Sequence, residues 1–297
     1  MILHKNIMLL INPHAGKGGY KGSCAEMLET FCTADYRPTV FFTQYPGHAI
    51  ELVRDYAEDY DMVVCLGGDG TLSEVTSGMM QHSVHRPIGY IPLGTANDVA
   101  RTLDLARQPA ERAKDIVKGK LLPFDMGQFG TDKFFTYVAA FGAFTEVSYA
   151  TPQDRKRALG HMAYMLEGMK SLSRITSCHA IVEHDGGVID GEFIFGAVTN
   201  STSVAGLVKL DSGAVNLSDG MFEVLLVRPP KDLIDLNNIL TAVLSSNFNV
   251  PNVLFLRSRE VRFMFDKPVA WTRDGEDGGR HMDVTIINRQ SGVELVV

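Results

Sequence analysis

Three short strings of the chain combine glycines with acidic residues, and these residue types suit chemistry on phosphates. The strings are Gly67-Gly68-Asp69-Gly70-Thr71, Pro92-Leu93-Gly94-Thr95-Ala96-Asn97-Asp98 and Asp274-Gly275-Glu276. Glycine permits tight turns and lets a ligand approach backbone N–H groups, whereas a carboxylate suits a metal ion rather than a bare phosphate. The combination indicates a nucleotide-phosphate site.

The elements around the first string support this interpretation. The apolar run over residues 62–66 predicts a buried strand, and a helix is expected to begin at Leu72. The N-terminus of a helix presents unpaired N–H groups to an anion. For this string alone, the alternative is an ordinary glycine-rich turn between a strand and a helix.

Size, charge and cysteine content exclude several classes of protein. The chain has 297 residues, which favours two domains, and a net charge of −7, which argues against broad nucleic-acid binding. Its four cysteines form no C-x-x-C pair, so we expect reduced thiols in a cytoplasmic protein. No stretch reaches the roughly 18–20 apolar residues that cross a bilayer, and any membrane contact is expected to be peripheral.

The order of the patterns predicts two domains of different type. Residues 1–123 predict an α/β domain with a parallel sheet, whose strands are expected at 7–11, 39–43, 62–66 and 88–91. The loops after these strands should share one edge of the sheet, where such folds bind ligands. Residues 124–283 predict a mainly antiparallel β-sandwich or barrel, interrupted by helices at 159–172 and 233–244. The tail, residues 284–297, either closes the second sheet or returns to the first domain.

Taken with a fourth string, these motifs resemble one known family. The fourth string is Asn12-Pro13-x-x-Gly16-Lys17-Gly18, and the set is similar in order and spacing to the soluble diacylglycerol and lipid kinases, especially the bacterial diacylglycerol kinases. That family shares its nucleotide domain with sphingosine kinases and, more remotely, with NAD kinases and phosphofructokinases. The resemblance extends to residues 148–152 and 217–220. It implies an α/β nucleotide domain, then a β-sandwich lipid domain, with ATP in the cleft between them.

The activity that the resemblance implies is ATP- and Mg²⁺-dependent phosphorylation of the hydroxyl of diacylglycerol, which gives phosphatidic acid at the membrane surface. A homodimer is implied as well. Phosphatidylglycerol, sphingoid bases and ceramide remain alternative acceptors, because the shape of an apolar pocket sets that choice. NAD kinase is an enzyme alternative that shares the first string but has a different second one. A non-catalytic lipid-binding regulator would be expected to lack Glu276 or Asp69, and both are present.

Most candidate site residues belong to the nucleotide site. They are Asn12, Pro13, His14, Ala15, Gly16, Thr43, Gly68, Asp69, Gly70, Thr71, Leu72, Ser73, Glu74, Thr95, Asn97 and Asp98. Among them Asp69, also a catalytic candidate, and Asp98 are expected to hold the catalytic Mg²⁺, directly or through water. Helix capping is the alternative for Asp98.

The second predicted domain carries a catalytic and a metal-binding candidate. Glu276 is the expected general base, because a carboxylate in a glycine-flanked turn can accept the proton of an alcohol; the alternative is a surface hairpin. In the related kinases the loop that matches residues 216–221 binds a structural Mg²⁺. This implies the side chain of Asp219 and the carbonyls of Asn216 and Met221 as ligands, with Asp125 linked through water. The alternative is a plain Asp-Gly turn.

The predicted helix at 159–172 is the candidate for contact with a membrane. It places Met162, Met165, Leu166 and Met169 next to the basic residues 155–157. Methionine-rich apolar surface beside basic residues suits a membrane interface. A helix that faces the core, with a solvated basic end, is the alternative.

Overall fold

The chain forms two compact units. The computed structural model describes residues 5–18, 20–95, 97–142, 176–200, 203–204, 208–209, 216–245 and 247–297. One unit comprises residues 1–126 and 291–297, and the other comprises residues 127–290. The first boundary therefore falls after residue 126 rather than 123, and the tail divides after residue 290. The strings at 148–152 and 155–157 and the predicted helix at 159–172, with its methionines, lie outside the described residues.

The first unit is an α/β unit. Its elements are β1 (Lys5–Ile11), α1 (Cys24–Thr33), β2 (Tyr36–Phe42), α2 (His48–Tyr56), β3 (Met62–Gly67), α3 (Asp69–His82), β4 (Ile88–Pro92), α4 (Asp98–Thr102) and α5 (Pro109–Lys118), with short 3₁₀ turns at Ala15–Gly18, Lys21–Ser23 and Ala57–Asp59. The strands pair in parallel in the order β4-β3-β1-β2. Every residue of β3 is buried, as its continuous apolar run predicts. The prediction of a parallel α/β sheet is confirmed.

The second unit is mainly antiparallel. The remaining elements are β5 (Leu121–Phe129), β6 (Lys133–Phe135), β7 (Val138–Gly142), β8 (Cys178–His184), β9 (Gly187–Phe193), β10 (Phe195–Thr199), β11 (Ser203–Val204), β12 (Val208–Lys209), β13 (Phe222–Val227), α6 (Leu233–Ser245), β14 (Val253–Ser258), β15 (Glu260–Arg273) and β16 (Glu276–Val296). Antiparallel pairs give the order β14-β13-β10-β7-β15-β16, and β8 joins β15 and β9. The rings of Phe129, Phe141 and Phe263 pack around buried Trp271. The prediction of an antiparallel second part is confirmed.

The end of the chain completes the sheet of the first unit. Leu295 and Val296, at the end of β16, pair in parallel with β4. Buried Arg112 of α5 donates from Nε to the carbonyl of Tyr90 at 2.9 Å and from Nη2 to the carbonyl of Val296. Burial lowers the pKa of Arg112, because removing its charge from water costs free energy. The hydrogen bonds to the two carbonyls offset part of that cost. No helix in the described ranges is both long and apolar enough to cross a membrane.

Candidate active site

The first glycine string forms the beginning of α3. The helix begins at Asp69, earlier than the predicted Leu72, because Gly68 takes an extended conformation at the N-cap. The first bond of the helix runs from the N–H of Leu72 to the carbonyl of Gly68 at 3.1 Å. The N–H groups of Gly70 and Thr71 precede this bond and have no carbonyl partner within the helix. This helix end can therefore donate to an anion, and the helix dipole adds positive potential there.

Glycines let the first and second strings lie against each other. A Cβ atom on Gly94 would lie 2.8 Å from the Cα atom of Gly68, and one on Gly67 would lie 2.4 Å from the side chain of Thr71. The N–H of Leu93 donates to the carbonyl of Gly67 at 2.7 Å. Side chains larger than hydrogen would separate these segments, so their close approach requires glycine.

The loop that begins at Asn12 contacts both of these strings. Asn12 donates from Nδ2 to Oγ1 of Thr71 at 3.0 Å, and its Oδ1 accepts from the N–H of His14 at 3.0 Å. Gly16 has a φ of +55°, and a Cβ atom on it would lie 2.3 Å from the carbonyl oxygen of Leu93. The structure therefore brings together the loop over 12–16, which includes Pro13 and Ala15, and the first two strings.

Asp69 belongs to the first of these strings and is the residue at which α3 begins. Its residue is 7% exposed and is the first of α3, where the helix dipole favours a carboxylate. A buried hard oxygen donor beside helix N–H groups that can donate to an anion fits Mg²⁺, which is usually bound by one or two carboxylates together with phosphate oxygens and water. No three His, Cys, Asp or Glu side chains gather into a metal site among the described residues.

Other nucleotide-site candidates on or near α3 are buried or make hydrogen bonds within the protein. Leu72 is fully buried in the core. Glu74 accepts from the N–H groups of Gly47 and Ala49, at 2.8 and 3.2 Å, and so fixes the start of α2. That segment follows Thr43, which is buried and donates from its backbone N–H to the carbonyl of Ile11. Ser73 is half-buried on α3.

The end of the second string also has internal partners. Asn97 is in the left-handed region, with a φ of +49°, and donates from Nδ2 to the carbonyl of Gly94 at 2.7 Å. Thr95 between them is exposed. Asp98 is the first residue of α4 and forms an ion pair with Arg101, one turn later. The N-cap residue is Asn97, so Asp98 does not cap the helix.

The third string forms a hairpin between β15 and β16. Asp274 and Gly275 have φ angles of +47° and +84°, which suits a type I′ turn. The carboxylate of buried Asp274 accepts from the N–H groups of Thr136, Tyr137 and Val138 at 2.7, 3.0 and 3.1 Å. Asp274 therefore ties the turn to the start of β7. Sequence reasoning missed this role, although Asp-Gly is a known signal for such a turn.

Glu276 follows this fixed turn as the first residue of β16, and it is exposed. It pairs in register with Arg273, whose Nη1 donates to the carbonyl of Phe134 at 2.9 Å. Pairing then skips Gly278, since Thr272 is opposite Asp277 while Trp271 is opposite Gly279. The hairpin interpretation describes the local geometry, and the exposed carboxylate on a fixed turn is also suitable for a general base.

The loop at 216–221 has the geometry of a polar turn. Oδ1 of Asn216 accepts from the N–H of Ser218 at 3.2 Å, and Oδ1 of Asp219 accepts from the N–H of Met221 at 3.1 Å. Gly220 has a φ of +78°. The second carboxylate oxygen of Asp219 forms an ion pair with Arg257. The carboxylate of Asp219 is thus already engaged by two protein groups.

Two buried acids concern the expected structural metal site: Glu223, which follows the loop at 216–221, and Asp125, the residue expected to be linked through water. Arg257 also faces Glu223 across the β13–β14 pair, with Nε 3.4 Å from Oε1. Glu223 is 2% exposed, and burial raises its pKa to about 7 despite the arginine; sequence reasoning missed it. Asp125, also buried, accepts from the N–H of Ser291 at 2.7 Å and lies in the first unit, whereas the loop at 216–221 lies in the second.

Comparison with known proteins gives a consistent match. Residues 6–129 match the family model described as diacylglycerol kinase catalytic domain. The chain is 32% identical to a diacylglycerol kinase of Staphylococcus carnosus over 99% of this chain and 95% of that protein. It is 30% identical to one of Bacillus subtilis, over 93% and 91%. A crystal structure of a diacylglycerol kinase from Bacillus anthracis has the same fold, with a TM-score of 0.76, 20% identity and coverage of 100% and 98%.

Proposed function

The chain belongs to the diacylglycerol kinase family of lipid kinases, and we propose that it transfers the γ-phosphoryl group of ATP to the hydroxyl of diacylglycerol, with Mg²⁺, to give phosphatidic acid. The observation that carries the proposal is the meeting of three loops at the N-terminus of α3. Phosphoryl transfer requires little covalent chemistry from the protein, so positioning and electrostatics dominate. This helix end supplies both.

In this proposal the first unit holds the nucleotide. The N–H groups of Gly70 and Thr71 donate to phosphate oxygens, and the exposed hydroxyl of Thr95 adds a donor from the second string. Asp69 holds Mg²⁺, and Asp98 assists through water once Arg101 moves away. When bound, Mg²⁺ neutralises the charge on the transferring phosphate.

The acceptor is activated by Glu276 in this proposal. An alcohol is a weak nucleophile, and a carboxylate that accepts its proton strengthens the attack on phosphorus. The hydrogen bonds of Asp274 support the role, because they fix the turn from which Glu276 projects. Since diacylglycerol lies in a bilayer, the proposed reaction takes place at a membrane surface, on the cytoplasmic side where ATP is available.

We propose two further features, a structural Mg²⁺ and a homodimer. A structural Mg²⁺ at Asp219 would have to share that carboxylate with Arg257. Thermal melting across a range of Mg²⁺ concentrations tests for it, because an ion bound to the folded state raises the melting temperature by mass action. Light scattering tests the homodimer that the resemblance implies.

The acceptor is tested with γ-labelled ATP, Mg²⁺ and separate mixed micelles of diacylglycerol, phosphatidylglycerol, sphingosine and ceramide. We expect label in the lipid fraction for diacylglycerol at a rate well above that for the other lipids. Transfer to a different lipid would change the proposed acceptor but would still support kinase activity. ATP binding with no transfer to any lipid would favour a regulator, and phosphorylation of NAD would overturn the proposal.

A further inference from the structure

The hydroxyl of Tyr90 lies next to the second phosphate string. Tyr90 is on β4, the strand that leads into this string, and the residue is 1% exposed. Its hydroxyl donates to Oδ1 of Asn97 at 3.3 Å. All five residues of β4 are buried. The phenol therefore supplies a polar contact to Asn97 in the loop that follows β4.

Asn97 passes this contact to the glycine turn. Its Nδ2 donates to the carbonyl of Gly94 at 2.7 Å, while its backbone is in the left-handed region. A Cβ atom on Gly94 would lie 2.6 Å from Oδ1 of Asn97 and 2.8 Å from the Cα atom of Gly68. The Asn97 amide thus closes the turn directly over the first phosphate string.

The backbone of Tyr90 is fixed from the other side. Arg112 donates from Nε to the Tyr90 carbonyl, and Tyr90 pairs with Cys65 of β3 in the sheet. Both neighbours are buried. The hydroxyl therefore projects from a rigid position, and the amide of Asn97 is oriented with its oxygen toward Tyr90 and its nitrogen toward Gly94.

We propose that Tyr90 is a positioning residue for phosphate binding: its hydroxyl orients Asn97, which sets the backbone of Gly94 against the first string. This inference rests on the proposed function, since it assigns a role in binding the phosphates of ATP. The role belongs to nucleotide affinity and not to the lipid acceptor.

A double-mutant cycle on ATP affinity tests the inference. The variants are Tyr90→Phe, which removes only the hydroxyl, Asn97→Gly, which keeps the left-handed backbone and removes the amide, and the combination of both. Tyr60→Phe is the matched control, because Tyr60 lies just before β3, and the first string lies at the other end of that strand. Dissociation constants for ATP with Mg²⁺ are measured by calorimetry, with circular dichroism to check folding.

We expect Tyr90→Phe to raise the dissociation constant of ATP by about three- to tenfold, the usual effect of one hydrogen bond, and to leave the KM for lipid unchanged. In the Asn97→Gly background the same change should have almost no effect. Three results would overturn this inference without affecting the proposed function. They are an unchanged ATP affinity in Tyr90→Phe, an equal effect of Tyr90→Phe in both backgrounds, and an equal loss of ATP affinity in Tyr60→Phe. A wild-type protein that binds no ATP would overturn the proposed function together with it.

Discussion

Acidic residues in this chain have different environments, and their environments suggest different roles. Asp69 is buried at a helix N-terminus, where a carboxylate can hold a cation close to bound phosphates. Glu276 is exposed on a hairpin, where it can meet an acceptor. Asp274, two residues earlier, is buried and bound to three backbone N–H groups. Residue type alone would not separate these roles.

Substitution of Asp69 tests its metal-binding role. Asp69→Ala should lower kcat more than tenfold and leave the fold intact, since loss of a carboxylate that holds Mg²⁺ costs several kcal/mol of transition-state stabilisation. The rate of label transfer and the circular dichroism spectrum are measured for both proteins. Asp59→Ala, at an exposed position before β3, is the control and should retain full activity. A variant that keeps more than about a tenth of the wild-type kcat would remove Asp69 from the chemistry.

Substitution of Glu276 separates base catalysis from acceptor positioning. Glu276→Gln keeps the size of the side chain but cannot accept a proton, so kcat should fall by roughly 10²–10⁴-fold with ATP affinity little changed. Asp277→Asn, at the neighbouring exposed carboxylate, is the control. If Glu276→Gln stays active while Glu276→Ala does not, Glu276 orients the acceptor, as a loose transition state would allow. A fully active Glu276→Ala enzyme would show that Glu276 has no role in catalysis and that the hairpin is only structural.

At the scale of elements, the hairpin between β15 and β16 depends on one carboxylate. Asp274→Ala would leave three N–H groups of residues 136–138 without their acceptor, and we expect a loss of about 3 kcal/mol or more in the free energy of unfolding. Urea denaturation measures it. Asp277→Ala removes one exposed acceptor, that of the Gly279 N–H, and should cost less than about 1 kcal/mol. Equal losses would mean that the buried contacts of Asp274 add little.

A pH-dependent tie connects strand β8 to its neighbours β9 and β15. His179 on β8 lies 2.7 Å from Asp190 on β9 and 3.2 Å from Asp266 on β15, and the hydrogen bond to Asp190 is the main cause of its raised pKa. A raised folded-state pKa stabilises the fold below the unfolded value of 6.5, and this contribution disappears as pH rises through the folded value. His179→Gln should therefore lower the melting temperature more at pH 5.5 than at pH 8.5. Exposed His85→Gln is the control, and an equal loss at both pH values would contradict the tie.

The sequence predicts the local parts of the site better than the distant ones. The buried run of β3 and the glycines after it are visible because they are adjacent in the chain. The sequence predicts a start of α3 at Leu72, whereas the helix begins at Asp69, with extended Gly68 at its N-cap lying close to Gly94 of the second string. The partners of Asp274 are more than 130 residues away, so no local pattern indicates them.

At the scale of the whole molecule, the first unit is completed by the last residues of the chain. Val293, Leu295 and Val296 are buried there, and Arg112 donates to the carbonyl of Val296. Periodicity does not decide whether the tail joins the first or the second domain, because its alternating pattern fits either kind of sheet. The first unit therefore cannot reach its final form until residues 293–296 are available.

Neighbouring residues in the tail provide a test of this closure. Leu295→Ala should lower the free energy of unfolding by about 2–5 kcal/mol, because it leaves a cavity in the core of the first unit. Glu294→Ala, on the exposed face of the same strand, should change it by less than about 0.5 kcal/mol. A small effect of both changes would show that the tail is dispensable to the first unit.

The most direct test of the account is the stoichiometry of product formation from ATP and diacylglycerol by the wild-type enzyme. Phosphorus NMR follows both products in one sample with Mg²⁺ and mixed micelles. We expect one phosphatidic acid for each ADP formed, with no inorganic phosphate, because the phosphoryl group passes to the lipid hydroxyl. Formation of ADP with inorganic phosphate and without phosphatidic acid would contradict it.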